Sequence, residues 1–290
     1  MPDFELADGV AALPRDEWNA LVADESPFLE WEWLASLEES GTVAADTGWQ
    51  SRPLVVRERG RLVAACPLYV KGNSEGEFVF DQGWAGAAAR AGIAYYPKLL
   101  VAIPFSPVTG ARLLCAADLD RGEWCERLAR ALRSLCVSNG FSGVHVNFCR
   151  PAEIEPLRRA GFLLRIGLQY HWRNHAYASF EDYLAHFRSK RRNQIRRERR
   201  ELASQGVAIE VLSGDAIPDS LFEAMFGFYR STVLGQAWGR QYLNLRLFEL
   251  LRERFRHRLT FVVARQHGEP VAGTFNVVKE IASEGFDAAP

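Results

Sequence analysis

The sequence predicts an α/β (α+β) chain made of two related units on mixed sheets, and three observations carry that prediction. Stretches of period-two apolar alternation trade places with amphipathic stretches of period 3.6 along the whole chain. The first half runs strand, Gly/Ser/Thr loop, helix, strand, the order of a crossover that makes a parallel pair. A hairpin pattern near residue 60 returns near residue 267.

In order, 13–22 begins a short helix with Trp18, Leu21 and Val22 inward, and Pro27 opens a second that Gly41 ends. That helix carries Trp31 and Trp33 as core or groove residues, with Glu30 and Glu32 expected to face water. Strands follow at 54–57 and 62–69 around Gly60. A short strand is expected at 78–80, weak helix over 81–94, a strand over 95–103 and a loop over 104–112. The helix 121–138 stops at Asn139-Gly140, and 143–148 returns as a strand. After a short helix at 153–159, strands are expected at 162–166 and 169–174. A basic helix spans 180–204, then come a strand at 207–212, helices at 217–234 and 242–255, and strands at 259–265 and 271–278. Aligning the two hairpins divides the chain into units 1–165 and 166–290. The second is expected to stop after its hairpin, because the tail from 280 is too short to repeat the crossover.

A chain of 290 residues, 48% hydrophobic and 24% charged, can bury two cores. The acidic start has no apolar run, which argues against a leader peptide. The run 84–105 is interrupted by Arg90, Pro97, Lys98 and Pro104, which excludes a membrane span there. Five cysteines without a CxxC pair read as reduced thiols, so a cytoplasmic location is expected.

The net charge is −1, yet 184–202 holds eight cations: Arg188, Lys190, Arg191, Arg192, Arg196, Arg197, Arg199 and Arg200. On one continuous helix, Leu184, Phe187, Ile195 and Leu202 share a stripe on which Arg191 also falls. A guanidinium there either pairs with a remote carboxylate or grips an anionic ligand through its planar fork. The other cations read as a solvated face, with nucleic acid as the rival partner.

Transfer of an acyl group to an amine needs a base and donors for the oxyanion. The loop 104–112 offers backbone N–H groups at Gly110, hydroxyls at Ser106 and Thr109, and Arg112 as an anion clamp. Lys98, Lys190 and Trp31 complete the expected substrate-binding set. Base candidates are Glu30, Glu32, Asp81 and His145. His171 and His175 share strand parity but lack a third ligand nearby, so no metal site is expected. Phosphate-loop, HExxH and GxSxG patterns are absent.

The stretches FLEWEWLASLEESG (28–41), FDQGWAGAAARAGIAYYPKLLVAIPFSPVTGARLL (80–114) and GFLLRIGLQYHWRNHAYASFEDYLAHFRSKRRNQIRRERREL (161–202) resemble the FemAB-like proteins of the GNAT acyltransferase superfamily. The resemblance covers about 28–279. It implies tandem GNAT-like domains and transfer of an acyl group, from acyl-CoA or aminoacyl-tRNA, to an amine of a muropeptide-like acceptor. A tRNA partner follows only if that donor is used, and the alternative is a protein that binds such a precursor without chemistry. The start of the basic helix at Lys190-Arg191 is similar to the basic helix of Fem-type second domains. The CoA loop pattern of GNAT enzymes is not found; 106–112 reads Ser-Pro-Val-Thr-Gly-Ala-Arg.

Overall fold

The computed structural model describes residues 3–237 and 239–279. In the first half, β1 (Asp3–Leu6), α1 (Arg15–Val22) and α2 (Trp31–Glu39) precede β2 (Trp49–Ser51) and the hairpin β3 (Leu54–Glu58) and β4 (Arg61–Cys66). Then come β5 (Leu68–Lys71), α3 (Gln82–Arg90), β6 (Lys98–Val101), β7 (Leu114–Cys115), α4 (Arg121–Ser138), β8 (Val144–Val146) and α5 (Pro151–Arg159). The second half holds α6 (Phe180–Ala185), α7 (Ser189–Ser204), β9 (Val207–Ser213), α8 (Ser220–Leu234), α9 (Leu245–Arg254), β10 (Leu259–Gln266) and β11 (Glu269–Val277).

The strands form three sheets, ordered β1-β3-β4-β7, β2-β5-β6-β8 and β11-β10-β9. Pro67 separates β4 from β5 and has no N–H to continue a ladder, so the chain changes sheets there. β6 and β8 are parallel, with Leu100 opposite His145, and α4 makes the crossover. Buried Leu99 and Val101 pack with Trp124, Leu128 and Leu132 of α4. The opposite parity, Tyr69 and Leu100, joins a second core that runs through α1, α2, α8 and α9.

The two hairpins share part of their strand pattern. β1 pairs antiparallel with β3, and β9 pairs antiparallel with β10. Two helices separate the pair in each case, and Arg59-Gly60 and His267-Gly268 both turn with positive φ, which suits a two-residue hairpin. The tail read from 280 lies outside the described residues.

Several expectations fail for physical reasons. Residues 78–80 form no strand, since Phe78 and Phe80 adopt positive φ. Residues 162–166 and 169–174 run without ladder partners. The basic helix is two helices: Ser179 caps α6 as expected, but the chain breaks at 186–188, where Arg188 is extended. Phe187 packs edge-on against Tyr183, with ring centres 5.1 Å apart, an i,i+4 contact that an unbroken helix would also make. The break shifts the phase of the stripe, so Leu184 is buried while Arg191 is exposed.

Candidate functional site

A row of side chains crosses one face of the second sheet. Register places Trp49 opposite Lys71 and Lys71 opposite Lys98, with His145 one strand further. Two lysines inside apolar strands need acceptors, and the loop 72–81 folds over the sheet to supply them. Lys98 Nζ lies 2.7 Å from Asp81 Oδ2, 3.0 Å from Glu77 Oε2, 3.0 Å from Ser74 Oγ and 3.5 Å from His145 Nδ1. Lys71 Nζ donates to the Glu75 carbonyl at 3.1 Å and sits 3.6 Å above the Trp49 ring. Tyr95 donates to Asp81 Oδ2 at 2.7 Å, and the Tyr96 and Ser74 hydroxyls are 2.6 Å apart. Asp81 immediately precedes α3, yet its side chain does not cap the helix; it turns inward to Lys98.

Lys71, Lys98, Glu77 and Asp81 are buried, and His145, 27% exposed, is the outer edge of the cluster. Two carboxylate oxygens, Glu77 Oε1 and Asp81 Oδ1, are buried with no donor. Burial pushes Glu77 up from the ordinary carboxylate range, an effect that Lys98 opposes. Burial also acts to raise Asp81, but hydrogen bonds led by Lys98 hold it at about 2. Burial and the neighbouring Lys98 push His145 down to about 4, and burial brings Lys71 down to about 7. His145 is therefore neutral near pH 7. Because Nδ1 faces the Lys98 ammonium, Nε2 is left to carry the proton.

Ligand atoms of Glu77, Asp81 and His145 lie within 4.8 Å of one another, the trio among the described residues with metal-like grouping. The Lys98 ammonium contacts all three, so this chain supplies its own cation at that point.

The structure thus brings together three residues singled out from the sequence, Lys98, Asp81 and His145. Sequence reasoning missed Glu77, Lys71, Ser74 and Tyr95. The usable signal was the pair of lysines inside apolar strands, with Glu75, Glu77 and Asp81 between them.

The loop 104–112 is placed differently from its expected role. Arg112 is 0% exposed; Nε donates to the Asn147 carbonyl at 2.8 Å, Nη1 to Ala111 at 3.0 Å and Nη2 to Val108 at 2.6 Å. Its guanidinium ties the loop to the end of β8 and is not free to clamp an external anion. Glu153 Oε1 accepts the backbone N–H of both Arg112 and Leu113 at 2.7 Å. Gly110 is buried, its N–H donating to Phe148, and a Cβ there would meet Ser26 at 3.3 Å. Ser106 is buried, and the Thr109 hydroxyl donates to Gln169 Oε1 at 3.1 Å.

Trp31 is half-buried and donates to the Leu13 carbonyl at 3.0 Å. Contrary to expectation, Glu30 and Glu32 are buried in ion pairs. Glu30 meets Arg258 and Lys279 at 2.9 Å each, and Glu32 meets Arg15 at 2.8 Å. Neither is free to act as a base. Lys190 and Arg191 are exposed, so the buried fork inferred from a continuous helix does not form.

The molecule is an α+β protein whose one mixed sheet carries a buried polar cluster with a partly exposed histidine at its edge. Its sequence places it more narrowly: the chain belongs to the FemAB-like family, described as peptidoglycan biosynthesis/recognition, and the match spans residues 9–283. A comparison with curated proteins finds no match. Among the described residues, no helix is long and apolar enough to cross a membrane.

Proposed function

We propose that this chain is a GNAT-like N-acyl- or aminoacyltransferase with two units, 1–165 and 166–290, and that it acts on an amine of an anionic cell-wall precursor. The observation that carries the proposal is the pair of buried, donorless oxygens, Glu77 Oε1 and Asp81 Oδ1, beside the exposed edge of His145. Leaving such acceptors unpaired costs about 1–3 kcal/mol each, and a primary amine brings the donors they lack. In this reading Glu77, whose proton affinity is raised, takes the proton from the amine. The nitrogen attacks the acyl carbonyl, a C–N bond forms, and the C–S or C–O bond to the donor breaks. The leaving thiolate or alkoxide takes that proton back from Glu77, which restores the base. His145 Nε2–H donates to the carbonyl oxygen as it gains charge. Lys190 and Arg191, both exposed, draw in the anionic partner by their field.

The test is transfer of label from acyl-CoA, and separately from aminoacyl-tRNA, to an amine-bearing muropeptide. Wild type should form the amide with one donor, and Glu77→Gln should lower kcat by about 10²-fold or more and also raise KM for the muropeptide. Binding of the muropeptide without transfer from either donor would instead assign recognition without chemistry.

A further inference from the structure

A second surface lies outside the lysine cluster. Residues 162–173 run extended without strand partners and expose Leu163, Ile166, Leu168, Tyr170 and Trp172 at 97%, 85%, 78%, 91% and 66%. Apolar surface of this extent on a folded chain marks an interaction site. The segment contains Arg165 and Arg173 and no carboxylate. An aromatic bridge joins it to the basic helix: Trp172 packs 6.2 Å from Tyr183, Tyr183 lies 5.8 Å from Phe180, and the Arg199 guanidinium sits 4.0 Å over Phe180. From there α7 presents Lys190, Arg191, Arg197, Arg199 and Arg200, all exposed. None of its residues is buried.

We propose that residues 162–173 and α7 together dock on an anionic lipid bilayer. Two features fit such a surface and fit a polyanion in water poorly. Aliphatic side chains stand nearly free on the segment, where nucleic acid would want stacking and charge alone. Tyr and Trp sit between those aliphatics and the arginines, the order of side chains across a bilayer interface from acyl chains to headgroups. The leucines and Ile166 enter the acyl boundary, Tyr170 and Trp172 lie at headgroup depth, and the α7 arginines meet lipid phosphates. The segment touches the surroundings of the amine site through Arg165, which donates to the Val79 carbonyl, so the test changes only Ile166, Trp172, Arg197 and Arg200, to which the amine site assigns no role.

The experiment is flotation of the full chain with phosphatidylglycerol-containing vesicles and with pure phosphatidylcholine vesicles. The chain should float with the anionic vesicles, bind the neutral ones at least about tenfold more weakly, and lose binding steeply as salt rises. Arg197→Glu with Arg200→Glu, and separately Ile166→Ser with Trp172→Ser, should each weaken binding about tenfold or more, with melting temperatures unchanged. If the apolar variant fails to fold, brominated lipid gives the answer in its place: quenching of wild-type fluorescence that largely disappears in Trp172→Phe. Equal binding to neutral vesicles would overturn the proposal, as would no binding to either. Two further results would also overturn it: tighter binding of a single-stranded RNA oligonucleotide, or a dimer in solution that the Ile166 and Trp172 changes dissolve.

Discussion

Lys98 and the arginines of α7 are cations in opposite circumstances. Lys98 is one buried charge held by four side chains within 3.5 Å. The basic stretch places eight cations against two carboxylates, Glu198 and Glu201, with most of them in water. Chemistry at a fixed atom needs the first arrangement, where burial shifts proton affinities and fixes a tautomer. Attraction of an extended anionic partner needs only the second. Charge density in a sequence therefore points to the field, and an isolated lysine in an apolar strand points to the site.

The contrast is broken most forcefully at Lys98. Lys98→Met leaves Asp81 and Glu77 buried without their cation, so stability should fall by about 3–5 kcal/mol in denaturant unfolding. A neutral result would mean the carboxylates were not charged. Arg112→Ala should cost about 2–4 kcal/mol, because three carbonyls, those of Asn147 and Ala111 in buried bonds, lose a charged donor. An unchanged melting temperature with lost anion binding would restore Arg112 as an external clamp.

His145 sharpens the comparison through pH. Its folded value, about 4, lies below the ordinary 6.5, so between those values the unfolded chain takes up a proton that the native chain refuses. Its stabilising effect is present above about pH 6.5 and is lost as pH falls toward 4, on the order of 2 kcal/mol for a ring 27% exposed. Glu77, shifted up, acts in the opposite sense over the acid range. His145→Gln should flatten the decline in a urea series between pH 7 and pH 4; an unaltered slope would place its cause elsewhere. Smallest of all, Arg191→Ala should change stability by less than about 0.5 kcal/mol, since its side chain is exposed. A large loss would mean that Arg191 is an internal ion-pair partner after all.

Much of the fold was legible because it rests on local signals. The stripe of α4, the parallel return at β8 and both positive-φ hairpin turns follow from periodicity and glycine placement. The break at 186–188 was not legible, because helix propensity and charge read smoothly across it. The strands expected at 162–174 had the right alternation but find no edge to pair with among the described residues. In the site, Lys98, Asp81 and His145 stood out as polar groups in apolar surroundings. Glu77 did not, since its burial depends on how the loop 72–81 folds onto the sheet. Glu30 and Glu32 misled for the reverse reason: their partners Arg258, Lys279 and Arg15 lie outside their own helix.

The most direct measurement is calorimetric titration of the chain with an amine-bearing muropeptide and with the same muropeptide acetylated on that amine. If Glu77 and Asp81 receive the free amine, the amine form should bind at least about tenfold tighter, as expected for added hydrogen bonds to charged acceptors. That preference should vanish in Glu77→Gln. Equal affinities in the wild type, or a preference that survives the substitution, would contradict the assignment of this cluster as the amine site.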